Sequence, residues 1–249
     1  MAVPLRCITM SENKESKKRW LPLEANPEVM TDYAKSLGLP SFLHFTDVLS
    51  VEDWAIEMVP QPVLAAVLLF PIKDSTEEDD KKRIQAVKKE EIPAGAYFTR
   101  QTVGNACGTI GIIHCMANID GKCGVEYSDD SYVHSLLQNT KSMTPDERAT
   151  FIERDDNLEK AHRQAEHQGQ SRPPAENESV NTHFVTFTVV DGELLEFDGR
   201  KPTPIPHGKC QADQVLQRTV EVVKNVFMSR DPDEIRFNIL ALTAGEASL

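Results

Sequence analysis

The 249-residue chain predicts a single domain of the α/β class, and three observations carry that reading. VLAAVLLF, between Pro62 and Pro71, is continuously apolar, as a strand covered on both faces of a sheet must be. ANPEVMTDYAKSLGL has the cap, period and stop of an amphipathic helix. THFVTFTVV, the turn DG, and ELLEFDG form the strongest hairpin signal in the chain. A buried central strand beside capped helices describes a sheet with helical cover, and the length sits at the upper end of single-domain size.

Taken in order, Met1 to Arg19 carries the run SENKESKKR, too poor in apolar residues to offset ordering entropy, and is expected to be a flexible extension. Structure is expected from about Trp20. In the first helix Asn26 caps, Pro27 takes the first position, Val29, Tyr33, Ala34 and Leu37 recur at helical spacing, and Gly38 stops it. A short helix is expected around Val51 to Met58, then the central strand. The charged stretch Lys73 to Glu91 reads as a solvated, partly helical excursion without function. Ala96 to Arg100 reads as a strand running into QTVGNACG, after which Ile110, Ile113 and Ala117 recur at helical offsets, so Cys107 falls at a helix N-terminus. Caps signal short helices near Tyr132 to Gln138 and after Thr144-Pro145. Residues 155–180 hold hardly any large apolar side chain and end near a Pro-Pro pair, so they read as a long loop that builds no core. DQVLQRTVEVVKNVFM predicts a late helix, and IRFNILAL a last buried strand.

A net charge of -12 and a pI near 5.1 argue against nucleic acid or an anionic membrane surface as partner, since phosphate neutralisation needs clustered Lys and Arg. The longest apolar run, Val63 to Phe70, falls far short of the roughly 20 residues that span a bilayer. MAVPLRCITM is broken by Pro4 and Arg6 and does not read as a signal-peptide core. Five cysteines, an odd number, suit a reducing compartment, so the cytosol or nucleus is expected. His114, Cys115 and Cys123 fall close together, with His162, His167 and His207 elsewhere, but no CxxC or HxxxH pair occurs and no metal site is expected.

Chemistry points to Cys107. A helix N-terminus sets unpaired N–H groups and partial positive charge beside its sulfur, favouring thiolate. A small buried hydrophobe is the competing reading of such a cysteine. A two-residue turn at Asp191-Gly192 sets Asp198 opposite Val185 and Arg200 opposite His183, making His183 and Asp198 diagonal neighbours about 7–8 Å apart on one face. A carboxylate on one ring nitrogen fixes the tautomer and leaves the other to take the thiol proton. Taken separately, His183 is a strand-end histidine and Asp198 a turn aspartate; together with Cys107 they form a nucleophile, a base and an orienter. Gln101, six residues before the thiol, is placed to donate with the Cys107 N–H to an oxyanion.

The segments RWLPLEANPEV, MVPQPVLAAVLLFPI, QTVGNACGTIGIIH, THFVTFTVVDGELLEFDGRKPTPI and RDPDEIRFNILAL resemble, in order from about Trp20 to Thr243, the short single-domain ubiquitin C-terminal hydrolases. These are papain-like cysteine peptidases with deubiquitinating and deneddylating members. The resemblance implies Cys107 as nucleophile, His183 as general base and acid, Asp198 as its orienter and Gln101 as oxyanion donor. It implies a central antiparallel β-sheet flanked by helices on both sides, a knotted backbone, a catalytic domain over residues 20–249, and an active-site crossover loop at about 155–180. WLPLE resembles part of the ubiquitin-contacting edge, which makes Pro22, Leu23 and Glu24 candidate binding residues.

The reaction so implied is hydrolysis at the C-terminal glycine of ubiquitin or a close ubiquitin-like modifier, with small or flexible leaving groups, by a monomer without cofactor, metal, nucleic-acid or membrane partner. The rival expectation is a module that binds ubiquitin without cleaving it; the four intact site residues speak against it. Departures from the family pattern are the residues before Trp20, a shortened charged excursion after Pro71, and Thr182 before the histidine.

Overall fold

The computed structural model describes residues 18–170 and 180–245. Six strands, β1 (His44–Asp47), β2 (Val63–Pro71), β3 (Thr182–Val190), β4 (Glu193–Phe197), β5 (Ile205–Lys209) and β6 (Asn238–Thr243), form one antiparallel sheet in the order β1-β6-β2-β3-β4-β5. The last strand thus lies between the first two. β2 sits inside the sheet, as its unbroken apolarity requires. Ala65 and Val67 face one core, and Ala66, Leu68 and Phe70 the other. Each fully buried Val, Leu or Phe contributes about 1.5–3 kcal/mol, and a strand covered on both faces collects that on nearly every residue.

The first core is closed by α1 (Pro27–Ser36), through Met30, Tyr33 and Ala34, and by α4 (Cys107–Ile119), through Ile112, Ile113 and Met116. The second is closed by α8 (Val215–Val222), through Val215, Leu216 and Val220, and by Phe227 in the π-helical turn Val223–Met228 that extends it. Helices therefore cover both faces. α1 begins as expected, with the Asn26 side chain accepting from the Glu28 and Val29 N–H groups and Pro27 at the first position. α2 (Asp53–Glu57), α3 (Asp74–Ala86), α5 (Tyr132–Thr140), α6 (Pro145–Glu153) and α7 (Asp156–Ala165) complete the main helices. α6 starts with a reciprocal capping box between Thr144 and Glu147. α4 is buried almost all round, and it crosses β3 closely because Gly111 has no side chain: a Cβ there would lie 3.3 Å from the Thr186 hydroxyl, which donates to the Gly111 carbonyl at 2.9 Å.

Several expectations need correction. Ala96 to Arg100 is extended but is no strand, because side chains of α4 take the place of a neighbouring strand: the Asn118 amide both accepts from Tyr97 N and donates to Tyr97 O, at 2.8 and 2.9 Å. The segment 155–165 is not loop. Asp155 caps α7, which sends Leu158 and Ala165 into the first core; the helix is polar on the rest of its surface, which hides its apolar stripe from a composition count. The remainder of the expected crossover loop includes residues 171–179, outside the described residues. Of the expected N-terminal extension, residues 1–17 also lie outside them, while Lys18 and Arg19 are tied down. Lys18 donates to the Glu153 carbonyl at 2.7 Å and pairs with Glu159 at 2.5 Å, and Arg19 bridges to Gly104.

Candidate active site

The turn that feeds α4 is held from outside. Trp20 N donates to the Gly104 carbonyl at 3.0 Å, and the Asn105 side chain donates to the Trp20 carbonyl at 2.9 Å. Asn105 has φ 60°, a left-handed conformation that Asn tolerates better than most residues. From this turn Cys107 enters the first position of α4, its sulfur beside N–H groups that no earlier carbonyl satisfies.

The hairpin that carries His183 and Asp198 forms in the expected register. Asp191 and Gly192, at φ 50° and 76°, make the turn, and Val190 pairs with Glu193 through to Thr186 with Phe197. There the ladder stops. Instead of continuing opposite Val185 and His183, the chain folds into a turn in which Lys201 N donates to the Asp198 carbonyl at 2.9 Å and Arg200 N to Asp198 Oδ1, also at 2.9 Å. The turn brings the carboxylate nearer than a diagonal pair: His183 Nε2 and Asp198 Oδ1 are 2.6 Å apart, both side chains almost wholly buried. Nδ1 is left free of Asp198, and the Cys107 thiol is coupled to the same imidazole. The edge of the Phe70 ring packs on the imidazole.

Electrostatics follow from this row. Burial pushes the Cys107 thiol up, but the His183 hydrogen bond and charge, with the Phe184 and Gly108 backbone, leave it below its ordinary value. Cys115, two turns along the same helix, is the control: burial pushes it up to about 12, and only the Thr186 hydroxyl opposes. Burial alone would push His183 down; the Asp198 carboxylate first, then Cys107, raises it to about 9. Burial likewise works against the Asp198 charge, and the His183 imidazolium brings it to about 2. The row therefore favours thiolate, imidazolium and carboxylate, the charge state a thiol nucleophile needs.

Gln101 lies close to this row. Its backbone N–H donates to the Gly199 carbonyl at 2.8 Å, tying it to the Asp198 turn, and its side-chain Nε2 donates to the Val103 carbonyl at 3.0 Å. Gly199 makes that approach: a Cβ there would stand 2.9 Å from Gln101 Cβ and 3.0 Å from Ile110 Cγ2. Gly199, the middle of DGR, is not among the residues expected at the site, although a glycine beside a reactive carboxylate is a signal in the sequence. Lys201 and Glu196, buried charges behind Asp198, carry no such signal. Of the proposed binding edge, Leu23 is the most buried. It is 5% exposed and fills the groove that Gly108 leaves on α4, where a Cβ would lie 3.1 Å from its side chain, whereas Pro22 and Glu24 are half-buried. The six residues weighed for metal do not gather, and among the described residues no group of three or more His, Cys, Asp or Glu side chains is placed to hold an ion.

An antiparallel sheet between helical layers, with a thiol, an imidazole and a carboxylate in one buried row, defines a cysteine hydrolase. The model of the family "Ubiquitin carboxyl-terminal hydrolase, family 1" matches residues 20–228. A "Probable ubiquitin carboxyl-terminal hydrolase" of Dictyostelium discoideum is 41% identical over 233 residues, 92% of this chain and 89% of that protein. "Ubiquitin carboxyl-terminal hydrolase 3" of Arabidopsis thaliana is 41% identical over 236 residues, 94% and 98% of the two chains. The catalytic domain of Trichinella spiralis UCH37, solved bound to ubiquitin vinyl methyl ester, shares the fold with a TM-score of 0.74 at 18% identity, over 94% of this chain and 99% of that one. The chain belongs to the ubiquitin carboxyl-terminal hydrolase family, and its activity is that of a deubiquitinating thiol hydrolase.

Proposed function

We propose that Cys107, His183, Asp198 and Gln101 carry the hydrolysis of amide or ester bonds at the C-terminal glycine of ubiquitin, or of a close ubiquitin-like modifier. The Cys107 thiolate attacks the glycine carbonyl carbon, and the displaced electron pair collects on oxygen, held by the Cys107 N–H and the Gln101 side-chain amide. His183 gives the proton on Nδ1 to the leaving nitrogen or oxygen as that bond breaks. Now neutral, it takes a proton from water, whose oxygen attacks the thioester, and the thiolate leaves. Asp198 keeps the ring oriented through both halves.

The observation that supports this most is the buried His183–Asp198 hydrogen bond, with the Cys107 thiol coupled to the same imidazole. Gln101 is supported by its tie to the Asp198 turn. We assign substrates with small or flexible leaving groups on the strength of the family to which the chain belongs. Pro22, Leu23 and Glu24, on the edge next to the site, are the candidates for contact with the modifier, Pro22 and Glu24 being the more exposed. Ubiquitin is the partner, the enzyme works as a monomer in the cytosol or nucleus, and it needs no cofactor.

The test is a ubiquitin carrying a C-terminal electrophile. Wild type should form a covalent adduct at Cys107, and Cys107→Ser should form none while still binding ubiquitin and losing turnover of a ubiquitin-linked fluorogenic substrate. Undiminished turnover by that variant would refute the assignment.

A further inference from the structure

Behind the reacting row lies a buried ionic cluster that the hydrolysis scheme does not use. Lys201, with a side chain 6% exposed, follows Asp198 by three residues on the same turn. Its ammonium donates to Glu196 Oε1 at 2.5 Å and stands 3.6 Å from Asp198 Oδ2. Glu196 is fully buried on β4 and accepts in addition from Arg83 of α3 and from His207 Nε2 of β5, the latter at 2.9 Å. α3 adds Asp80, 3.7 Å from the Lys201 ammonium and itself paired with Arg83 and Arg230 at 3.1 and 2.9 Å. The charged excursion between β2 and α4 is therefore fastened to the back of the Asp198 turn.

The two oxygens of Asp198 have separate tasks. Oδ1 takes His183 and the Arg200 N–H; Oδ2 faces Lys201. A carboxylate with one oxygen engaged by a fixed cation cannot swing freely, and the cation also offsets part of the charge that the imidazole feels. Isolated buried cations are costly, and Glu196 compensates this one from the far side.

We propose that Lys201, clamped by Glu196, is a positioning residue for the His183–Asp198 pair, holding the carboxylate to the ring and setting how strongly the ring keeps its proton. The inference rests on reading Cys107, His183 and Asp198 as the reacting row. The other titratable and charged groups around the pair are Cys107 of α4, Glu196, His207, Arg200, and Asp80, Lys81 and Arg83 of α3; His114 of α4, which burial brings down to about 4, is neutral.

Two opposite perturbations test it. Lys201→Met removes a positive charge beside Asp198 and should move the alkaline limb of the kcat/KM profile up by about one pH unit, with kcat reduced and KM little changed. Glu196→Gln leaves the Lys201 charge less compensated and should move that limb down. The titration of the His183 imidazole, followed by NMR on the ubiquitin-free protein, should move in the same two directions. That measurement needs no ubiquitin, so inability of the wild type to cleave its substrate would count against the proposed function while the imidazole titration still reports on Lys201. Limbs at the wild-type position in both variants, or displaced in the same direction, would overturn the proposal and leave Lys201 a structural residue. Should either buried variant fail to fold, Asp80→Asn on half-buried α3 decides: a downward displacement supports the role, and an unmoved limb overturns it.

Discussion

Replacing Asp198 by Asn separates charge from shape at the centre of the site. The imidazole of His183 stands at about 9 against an ordinary 6.5, and the Asp198 carboxyl at about 2 against 3.8. The two displacements contain chiefly this contact, with Cys107 adding to the first and Lys201 and Arg200 to the second, and correspond to about 2–3.5 kcal/mol. With the charge gone, burial should carry His183 below its ordinary value, so that the imidazolium is absent at neutral pH and Cys107 loses its counter-charge. The expected result is an alkaline limb moved from about 9 to below 6.5, with kcat down ~10³–10⁴-fold and KM within a few-fold of wild type. Because the folded value of His183 is raised, its contribution to stability is complete below pH 6.5 and is lost as pH rises through 9. Because that of Asp198 is depressed, its contribution is complete above about pH 4 and is lost as pH falls through 2. The thermal midpoints of wild type and variant should therefore differ most between about pH 4 and 6.5, by about 5–10 °C, and converge above 9. A variant that keeps its alkaline limb near 9, or a stability gap constant from pH 5 to 9.5, would refute this account of the row.

Gly199→Ala should cost about 1–3 kcal/mol of stability, because the added Cβ meets Gln101 Cβ and Ile110 Cγ2 at 2.9 and 3.0 Å, and kcat should drop about 10–100-fold as the Asp198 turn is pushed from Gln101. Gly192→Ala, at φ 76° with no atom within 4 Å, should lower stability alone; equal kcat values for the two variants would break the link between Gly199 and the site. Leu158→Ala should cost about 2–5 kcal/mol in denaturant unfolding, since this fully buried side chain fastens α7 to the first core; a cost under about 1 kcal/mol would mean that α7 is not held by that contact.

How far each feature could be read depended on how local its cause was. The β3–β4 register, the Asn26 cap and the double-faced burial of β2 rest on neighbours a few positions away, so pattern sufficed. Ala96 to Arg100 misled because the partner replacing a strand is a helix side chain, Asn118, which no alternation of polar and apolar residues announces. α7 is hidden in the sequence because Leu158 and Ala165 are sparse among charges, yet a single stripe is enough where a core waits to receive it.

By itself the sequence determined the pieces: which segments are apolar on one face or two, where helices start, and which residue types could supply nucleophile, base and carboxylate. Those depend on backbone geometry and side-chain period, which act over a few residues. Only the tertiary structure decided that Leu23 fills the groove at Gly108, that α3 reaches the back of Asp198 through Arg83 and Asp80, and that His183 turns Nε2 to Asp198 while its charge is coupled to Cys107. Contacts between distant segments are chosen by the packing of the whole sheet and its two helical layers, a sum to which every buried side chain contributes.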